Sequence, residues 1–188
     1  PHMVDFEFRE IPAWRYTQQL LRSGAIGNIR HVIINWVMQG WSDVNRAATW
    51  QTFHKQGGGA LSAMGVHLFD YVEWFLSPIK SLASSLTTRI HQRPGKEGGL
   101  HTVDAEDCCH LLLELHDQTP VSVVISAIAH WGKGHQLEFY GDKKTIILKN
   151  EQPKNYASGF EIWEGSSESS VLRKLPVPRK HKCRENSA

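Results

Sequence analysis

A histidine and an aspartate three residues apart, His67 and Asp70, follow a run of three glycines in "GGGALSAMGVHLFD", residues 57 to 70. Imidazole and carboxylate are side chains that move protons near neutral pH, and a spacing of three brings them within reach on one helix face. Three chemistries fit. The first is acid–base work by His67, with Asp70 orienting the ring. The second is metal binding, which needs a third ligand; none stands at a suitable spacing, and His31 and His54 are near only in sequence. The third is anion binding where the glycines open the helix, because a helix N-terminus gathers unpaired N–H groups. Yet the glycines lack the G-x-G-x-x-G spacing, and no P-loop lysine follows. Against all three stands a plainer role: a lone histidine on a helix is more often structural or merely exposed.

The element that must hold the pair is a helix expected from Ala60 to Leu76, stopped by Ser77-Pro78. At 100° per residue, Met64, Leu68, Tyr71, Val72 and Phe75 form a core stripe. Ala63, His67, Asp70 and Trp74 form a second stripe, roughly 110° round the axis. His67 and Asp70 therefore share a face that is not the core face. Gly65 falls mid-helix at a cost of about 1 kcal/mol against alanine, which points to close approach of a backbone or a ligand.

Around that helix the chain reads as α+β. "PAWRYTQQLLRSG" predicts a helix of about 11 residues, opened by Pro12 and ended by Gly24, with Trp14, Thr17, Leu20 and Leu21 inward. Asn28 to Trp41 is rich in β-branched and aromatic residues and predicts a long strand. Residues 42–59 show no clear periodicity. "IKSLASSLTTRI" predicts a strand, and "HQRPGKEGGLHTV" a loop. A hairpin follows, with Cys109, Leu111, Leu113 and Leu115 on one apolar face opposite Val121, Val123, Ile125, Ala127 and Ala129. Its other face, Ser122, Val124, Ser126, Ile128 and His130, is small and mixed. "HQLEFYG" and "TIILKN" form a second hairpin, and "GFEIWEG" reads as the final strand. The sum is an open, mostly antiparallel sheet with helices on one face. No repeated βαβ unit occurs, so no Rossmann domain lies in this chain.

The 188 residues, 40% hydrophobic and 21% charged, suit one soluble core. No apolar run is long enough to span a membrane. The start has no signal-peptide pattern, and residues 1–3 read as a cloning scar. Cys108, Cys109 and Cys183 make neither a disulfide framework nor a zinc knuckle, which fits reduced thiols in the cytoplasm. The net charge of +2 is uneven: from Gly165 onward six Lys/Arg face two Asp/Glu, a local +4 that leaves about −2 elsewhere. Residues 165–188 read as a basic, loose tail, separate from a domain spanning 4–164. No aromatic residue interleaves those charges, so nucleic-acid binding is not expected.

The stretch "GGGALSAMGVHLFDYVEWFL" resembles the second domain of the Gfo/Idh/MocA oxidoreductases, named for glucose–fructose oxidoreductase and inositol dehydrogenase. Their pattern is G-G-G-x-L-x-D-x-G-x-H-x-x-D-x-x-x-W. Gly57, Gly58, Gly59, Leu61, Gly65, His67, Asp70 and Trp74 match it. Upstream, Arg9, Pro12, Leu21, Gly24, Ile26, Gly27 and Ile29 resemble the family's entry into that domain. "DAEDCCHLLLELHDQTP" and "LEFYGDKKTIIL" resemble two of its strand pairs. The resemblance covers roughly Phe6 to Leu148.

It implies a dihydrodipicolinate-reductase-like C-terminal domain that binds a small-molecule substrate, often a sugar or cyclitol, and builds homo-oligomers through the open sheet face. NAD or NADP would be bound mainly by the protein's own N-terminal Rossmann domain, absent from this chain together with its E-K-P lysine. His67 takes the place of the family's catalytic histidine. Arg9, Trp50, Lys55 and Asp70 are expected on the substrate side, Gly58 and Gly59 where backbone approaches the cofactor, and no metal site is expected. The fragment alone is expected to be inactive. One departure matters: Ala63 stands where well-studied members carry aspartate, so the Asp–His pair is lost, and Asp70 does not fill that place by alignment. A catalytically silent binding or oligomerisation module that kept the fold is therefore the alternative, and a metal-dependent hydrolase using His67 and Asp70 is remote.

Overall fold

The protein is described by a computed structural model covering residues 5–152 and 157–181. The expected cloning scar and Cys183 lie outside the described residues. Helix α1, Pro12–Arg22, begins on proline at its first turn and buries Ala13, Trp14, Thr17 and Leu21. Strand β1, Ile29–Val37, follows, and then helix α2, Val66–Phe75. The other strands are β2 (Ile79–Thr87), β3 (Gln92–Pro94), β4 (Leu100–Thr102), β5 (Cys108–Leu115), β6 (Pro120–Ser126), β7 (Gly134–Gly141), β8 (Lys144–Asn150), β9 (Glu161–Ser166) and β10 (Arg173–Leu175).

Eight of these strands form one sheet in the order β10-β9-β8-β7-β1-β6-β5-β2. β1 and β6 run parallel, with Val32 opposite Val121 and Trp36 opposite Ile125. Every other neighbouring pair in this sheet is antiparallel. The fold is thus the mixed, mostly antiparallel sheet with helices on one face that the sequence predicts. Period-two alternation decides which face is which. Val32, Ile34, Trp36, Cys109, Leu111, Leu113, Leu115, Val121, Val123 and Ile125 are buried on the helix side. On the opposite side, Ile33, Ala83, His110, Leu112, Ser122 and Val124 line a shallow apolar groove that neither helix covers.

The structure differs from the sequence reading at three places. Residues 91–103 are not wholly loop: β3 and β4 pair as a small hairpin. Arg93 anchors it, buried, donating to the carbonyls of Asp43 and Trp41 at 2.6 and 2.5 Å. The expected single helix from Ala60 is two pieces, a π-helical turn over Leu61–Gly65 and then α2. β9 is not the last strand, because Arg173–Leu175, inside the stretch expected as a loose tail, adds β10 at the sheet edge. Buried Glu164 draws it in by accepting from Arg173 Nε at 2.7 Å and Lys144 Nζ at 3.3 Å. A buried carboxylate needs such partners.

Trp14 lies fully buried between helices and sheet, stacked on Phe8 at 4.6 Å and on Phe75 at 5.4 Å. Trp14→Ala is expected to destabilise the domain by about 3–5 kcal/mol, the usual cost of deleting a large buried aromatic. Urea unfolding checks this as a lower midpoint at unchanged slope. A loss under about 1 kcal/mol would show that the helices are not held through this residue.

Candidate active site

The chain enters α2 through a tight loop. Gly59 N–H donates to the Gln51 carbonyl at 2.9 Å, and Gly58 N–H to that of Phe53 at 3.0 Å. Gly59 has a φ of +117°, and a Cβ on it would lie 2.1 Å from Glu106 Oε1. That same oxygen accepts the Leu61 N–H at 2.9 Å, while the Glu106 carbonyl accepts the Ala60 N–H at 2.8 Å. A carboxylate here satisfies donors that a helix start leaves open and suits the positive end of its dipole. The helix start after the glycines, where the sequence spacing argues against an anion cradle, has donors taken up from within the chain. Gly58 and Gly59 make room for residues 50–53 and for Glu106.

Gly65 closes the π-helical turn, and a Cβ there would sit 2.6 Å from Leu61 Cδ1. The close approach expected at this glycine is thus intrahelical. Beyond it, His67, Asp70 and Trp74 share one face of α2, as the wheel predicts. The N-terminal 3₁₀ turn, Glu7–Glu10, lies along that face like a strap. Phe6 meets the His67 ring edge-on at 6.2 Å, and Phe8 at 5.6 Å. Arg9 reaches Asp70 through two nitrogens, with Nε to Oδ2 at 2.9 Å. Its guanidinium also lies over Trp74, 5.8 Å from the ring centroid. The hydrogen bond to Asp70 raises the Arg9 pKa further, against the opposing effect of burial.

Asp70 therefore does not orient His67. Both of its oxygens belong to Arg9. The acidic neighbour of the imidazole is Glu7, whose Oε2 stands 3.5 Å from His67 Nδ1. That separation is ion-pair range, and the hydrogen bond is not closed: Nδ1 is buried and has no hydrogen-bond partner. The side chain keeps 22% exposure, so His67 is half-buried rather than fully on an exposed face.

Near His67, behind Phe8 and Trp36, which both rings meet, is a second imidazole. His135, on β7, is fully buried and stacks on Trp36 at 4.2 Å and 5°. Its Nε2 shares a hydrogen bond with Tyr71 Oη at 3.0 Å. Burial first, and then the nearby His67, push the His135 pKa down to about 3. Burial raises the Tyr71 phenol well above its ordinary value. His67 thus rests on a neutral, apolar bed.

The remaining expected residues lie apart. Trp50 and Lys55 sit on the loop before the glycines, the first 53% exposed. Neither makes a hydrogen bond or ion pair with His67, Arg9 or Asp70 among the described residues. No cluster of three metal-ligating side chains occurs among the described residues. Among the described residues no helix is long and apolar enough to cross a membrane. Cys109 is core, and the Cys108 thiol shares a hydrogen bond with the Ser126 hydroxyl at 3.3 Å. Sequence reasoning missed Glu7 and His135. Glu7 left a faint sign, lying one residue before a buried phenylalanine in "EFRE"; His135 left none.

Residues 14–147 match the family description "GFO/IDH/MocA C-terminal domain". An uncharacterized oxidoreductase of Synechocystis is 37% identical over 176 residues, covering 93% of this chain and 47% of that protein. Levoglucosan dehydrogenase of Pseudarthrobacter phenanthrenivorans is 27% identical over 169 residues, covering 80% and 43%. The chain thus spans about half the length of the curated relatives it matches. Among solved structures, a levoglucosan dehydrogenase in complex with NADH and L-sorbose superposes with a TM-score of 0.81 at 23% identity, covering 93% of this chain and 47% of that one. At that identity the match speaks for the fold.

Because His135 is held neutral, it couples stability to acid. Its folded pKa of about 3 lies below the ordinary 6.5, so the unfolded chain binds the extra proton between those values. Stability from this group is complete above about pH 6.5 and is lost as pH falls toward 3, by up to about 1.4 kcal/mol per pH unit. His135→Phe, which keeps the ring on Trp36, is expected to flatten that part of the curve. Denaturation midpoints at pH 7, 5.5 and 4.5 check it; equal slopes in both proteins would place the acid sensitivity elsewhere.

Proposed function

The chain belongs to the GFO/IDH/MocA family through that family's C-terminal domain, and from that premise we propose that it is the substrate-binding half of an NAD(P)-dependent oxidoreductase acting on a hydroxyl or carbonyl carbon of a sugar- or cyclitol-like substrate. The observation that carries this is the setting of His67. Its ring is fixed on an aromatic bed, lies off the core stripe and keeps one side open. A general acid–base group needs that combination of fixed direction and access. Relatives named oxidoreductase and levoglucosan dehydrogenase point to the same chemistry.

The nicotinamide, when bound, supplies the hydride acceptor or donor. The described residues offer its phosphates no cradle, since Glu106 holds the N-terminal end of the helix, so the dinucleotide is held chiefly by the rest of the longer protein. In the oxidising direction His67 takes the proton of the substrate hydroxyl as that carbon gives up its hydride. In the reducing direction it returns the proton. Arg9, fixed by Asp70 and still 41% exposed, and Trp74 beneath it border the same face of α2. Exposed Trp50 and Lys55, on the loop before the glycines, would meet only a part of the substrate that extends beyond this face.

The open sheet face is the surface for a second copy. Leu112 is 64% exposed at its centre, and large apolar side chains grouped on one face mark interaction sites. A second reading, a catalytically silent module, draws on Ala63, which removes the aspartate that well-studied members place beside the histidine.

In the longer protein, His67→Ala is expected to lower turnover of a polyol or sugar panel with NAD(P)⁺ by roughly 10²- to 10⁴-fold. Steady-state kinetics decide, with the folded state checked by circular dichroism. Unchanged turnover in a folded variant would leave the silent-module reading. The 188-residue chain by itself is expected to show no micromolar NADH binding by calorimetry. It is also expected to sediment as a dimer or larger, and Leu112→Arg to give a monomer; a wild-type monomer at high concentration would remove the sheet-face assembly.

A further inference from the structure

Beside the proposed base, Ala63 offers no oxygen to its side chain, and Asp70 is bound to Arg9 by both of its own. Glu106 is bound to the start of the helix. His67 Nδ1 is nonetheless buried and without a hydrogen-bond partner. A buried ring nitrogen left unpaired is costly, and such nitrogens ordinarily find an acceptor. One carboxylate faces it: Glu7 Oε2, at 3.5 Å. We infer that Glu7 is the positioning residue of His67, accepting the Nδ1–H and so holding the ring in the tautomer whose Nε2 carries the free lone pair.

The geometry gives that contact its direction. The strap fixes Glu7 because Phe8 is buried on one side of it and Arg9 is tied to Asp70 two residues on. Phe6, Phe8 and Trp36 surround the imidazole at 6.2, 5.6 and 6.4 Å, which lowers the local dielectric and strengthens any carboxylate–imidazole bond. Closing 3.5 Å to hydrogen-bond length takes a small rotation of the Glu7 side chain, and catalytic hydrogen bonds are often long before substrate arrives. Glu7 keeps 30% exposure, so it has room to make that turn.

The role rests on the proton-transfer reading of His67 and balances within it. A substrate O–H proton moves to Nε2, the nicotinamide, when bound, would supply the acceptor for the C–H hydride, and the resulting imidazolium keeps its Nδ1–H on the Glu7 carboxylate. A carboxylate fixing a histidine by its far nitrogen is a recurrent arrangement, and the carboxylate does not itself take the proton. It reaches the site here from an element 60 residues away from the histidine, in place of the side chain four residues before it.

Two measurements test this separately. The first is long-range ¹⁵N–¹H NMR of histidine-labelled 188-residue chain at pH 8.5, with His67 assigned by loss of its signals in His67→Gln. The expected result is the Nδ1–H tautomer in the parent and in Glu7→Gln, whose amide oxygen still accepts, and its loss in Glu7→Leu and Glu7→Ala. An Nε2–H tautomer in the parent, or an Nδ1–H tautomer that survives both apolar variants, overturns the assignment. The second is kinetics of the longer protein. Glu7→Leu is expected to lower kcat at least about tenfold with KM little changed, and Glu7→Gln less. Full kcat in Glu7→Leu beside a crippled His67→Ala overturns the role of Glu7 and leaves that of His67. A tautomer that follows Glu7 beside an unaffected His67→Ala supports the contact and removes the proton-transfer reading.

Discussion

Phe8 touches every layer of the domain at once. It stacks on Trp14 of α1 at 4.6 Å and meets Trp36 of β1, Tyr71 of α2 and His135 of β7 edge-on at 5.5, 6.0 and 5.4 Å. It also meets Phe160, ahead of β9, at 6.3 Å. Aromatic pairs in such geometries contribute about 0.5–1.5 kcal/mol each beyond the area they bury. β1 and β7 share a hydrogen-bond ladder, but the strap and the two helices take no part in it, so the cluster couples two helices to a sheet that could otherwise slide beneath them. The N-terminal strap is part of the core for this reason, although it precedes the first helix.

That cluster also sets the electrical character of the site. A neutral imidazole and a phenol, both fully buried, bond to each other at 3.0 Å, and neither carries charge near neutral pH. His67 sits at the cluster's rim, with one nitrogen inward and part of the ring outward. Rigid aromatic packing beneath and a tied strap above leave its ring little freedom to turn. Precise direction is what acid–base transfer demands, and packed rings hold a side chain to it better than a loop does. The proposed proton chemistry and the fold's stability therefore draw on the same few residues.

Much of this was legible in the sequence because it is periodic. Alternation in β5 and β6 identified the buried face, proline and glycine bracketed α1, and the three-residue spacing put His67 and Asp70 on one face. What was illegible depends on partners distant in the chain. Nothing near Asp70 signals that Arg9, 61 residues away, will take both its oxygens. The glycine spacing argued against an anion cradle without saying what the glycines are for, and only the folded chain shows them making room for Glu106 at the helix start. The π-helical turn escaped because a wheel at 100° assumes one pitch throughout, and it shifts residues 61–65 relative to α2. β10 escaped because its basic residues read as a solvated tail until the buried carboxylate of Glu164 is seen opposite.

The carboxylates around α2 show how the fold divides one chemistry among several tasks. Glu106 satisfies donors at the helix start, and a change there would free N–H groups rather than alter the imidazole. Asp70 neutralises Arg9 and fixes the strap, so its effect on the site passes through the backbone of residues 7–9. Glu7 rides on that strap and faces His67. The order matters physically: the Arg9–Asp70 pair holds the strap, the strap presents Glu7, and Glu7 stands at the nitrogen that Ala63 cannot reach. With alanine at position 63, the carboxylate that stands nearest the imidazole is carried by the segment lying across the helix, at 3.5 Å.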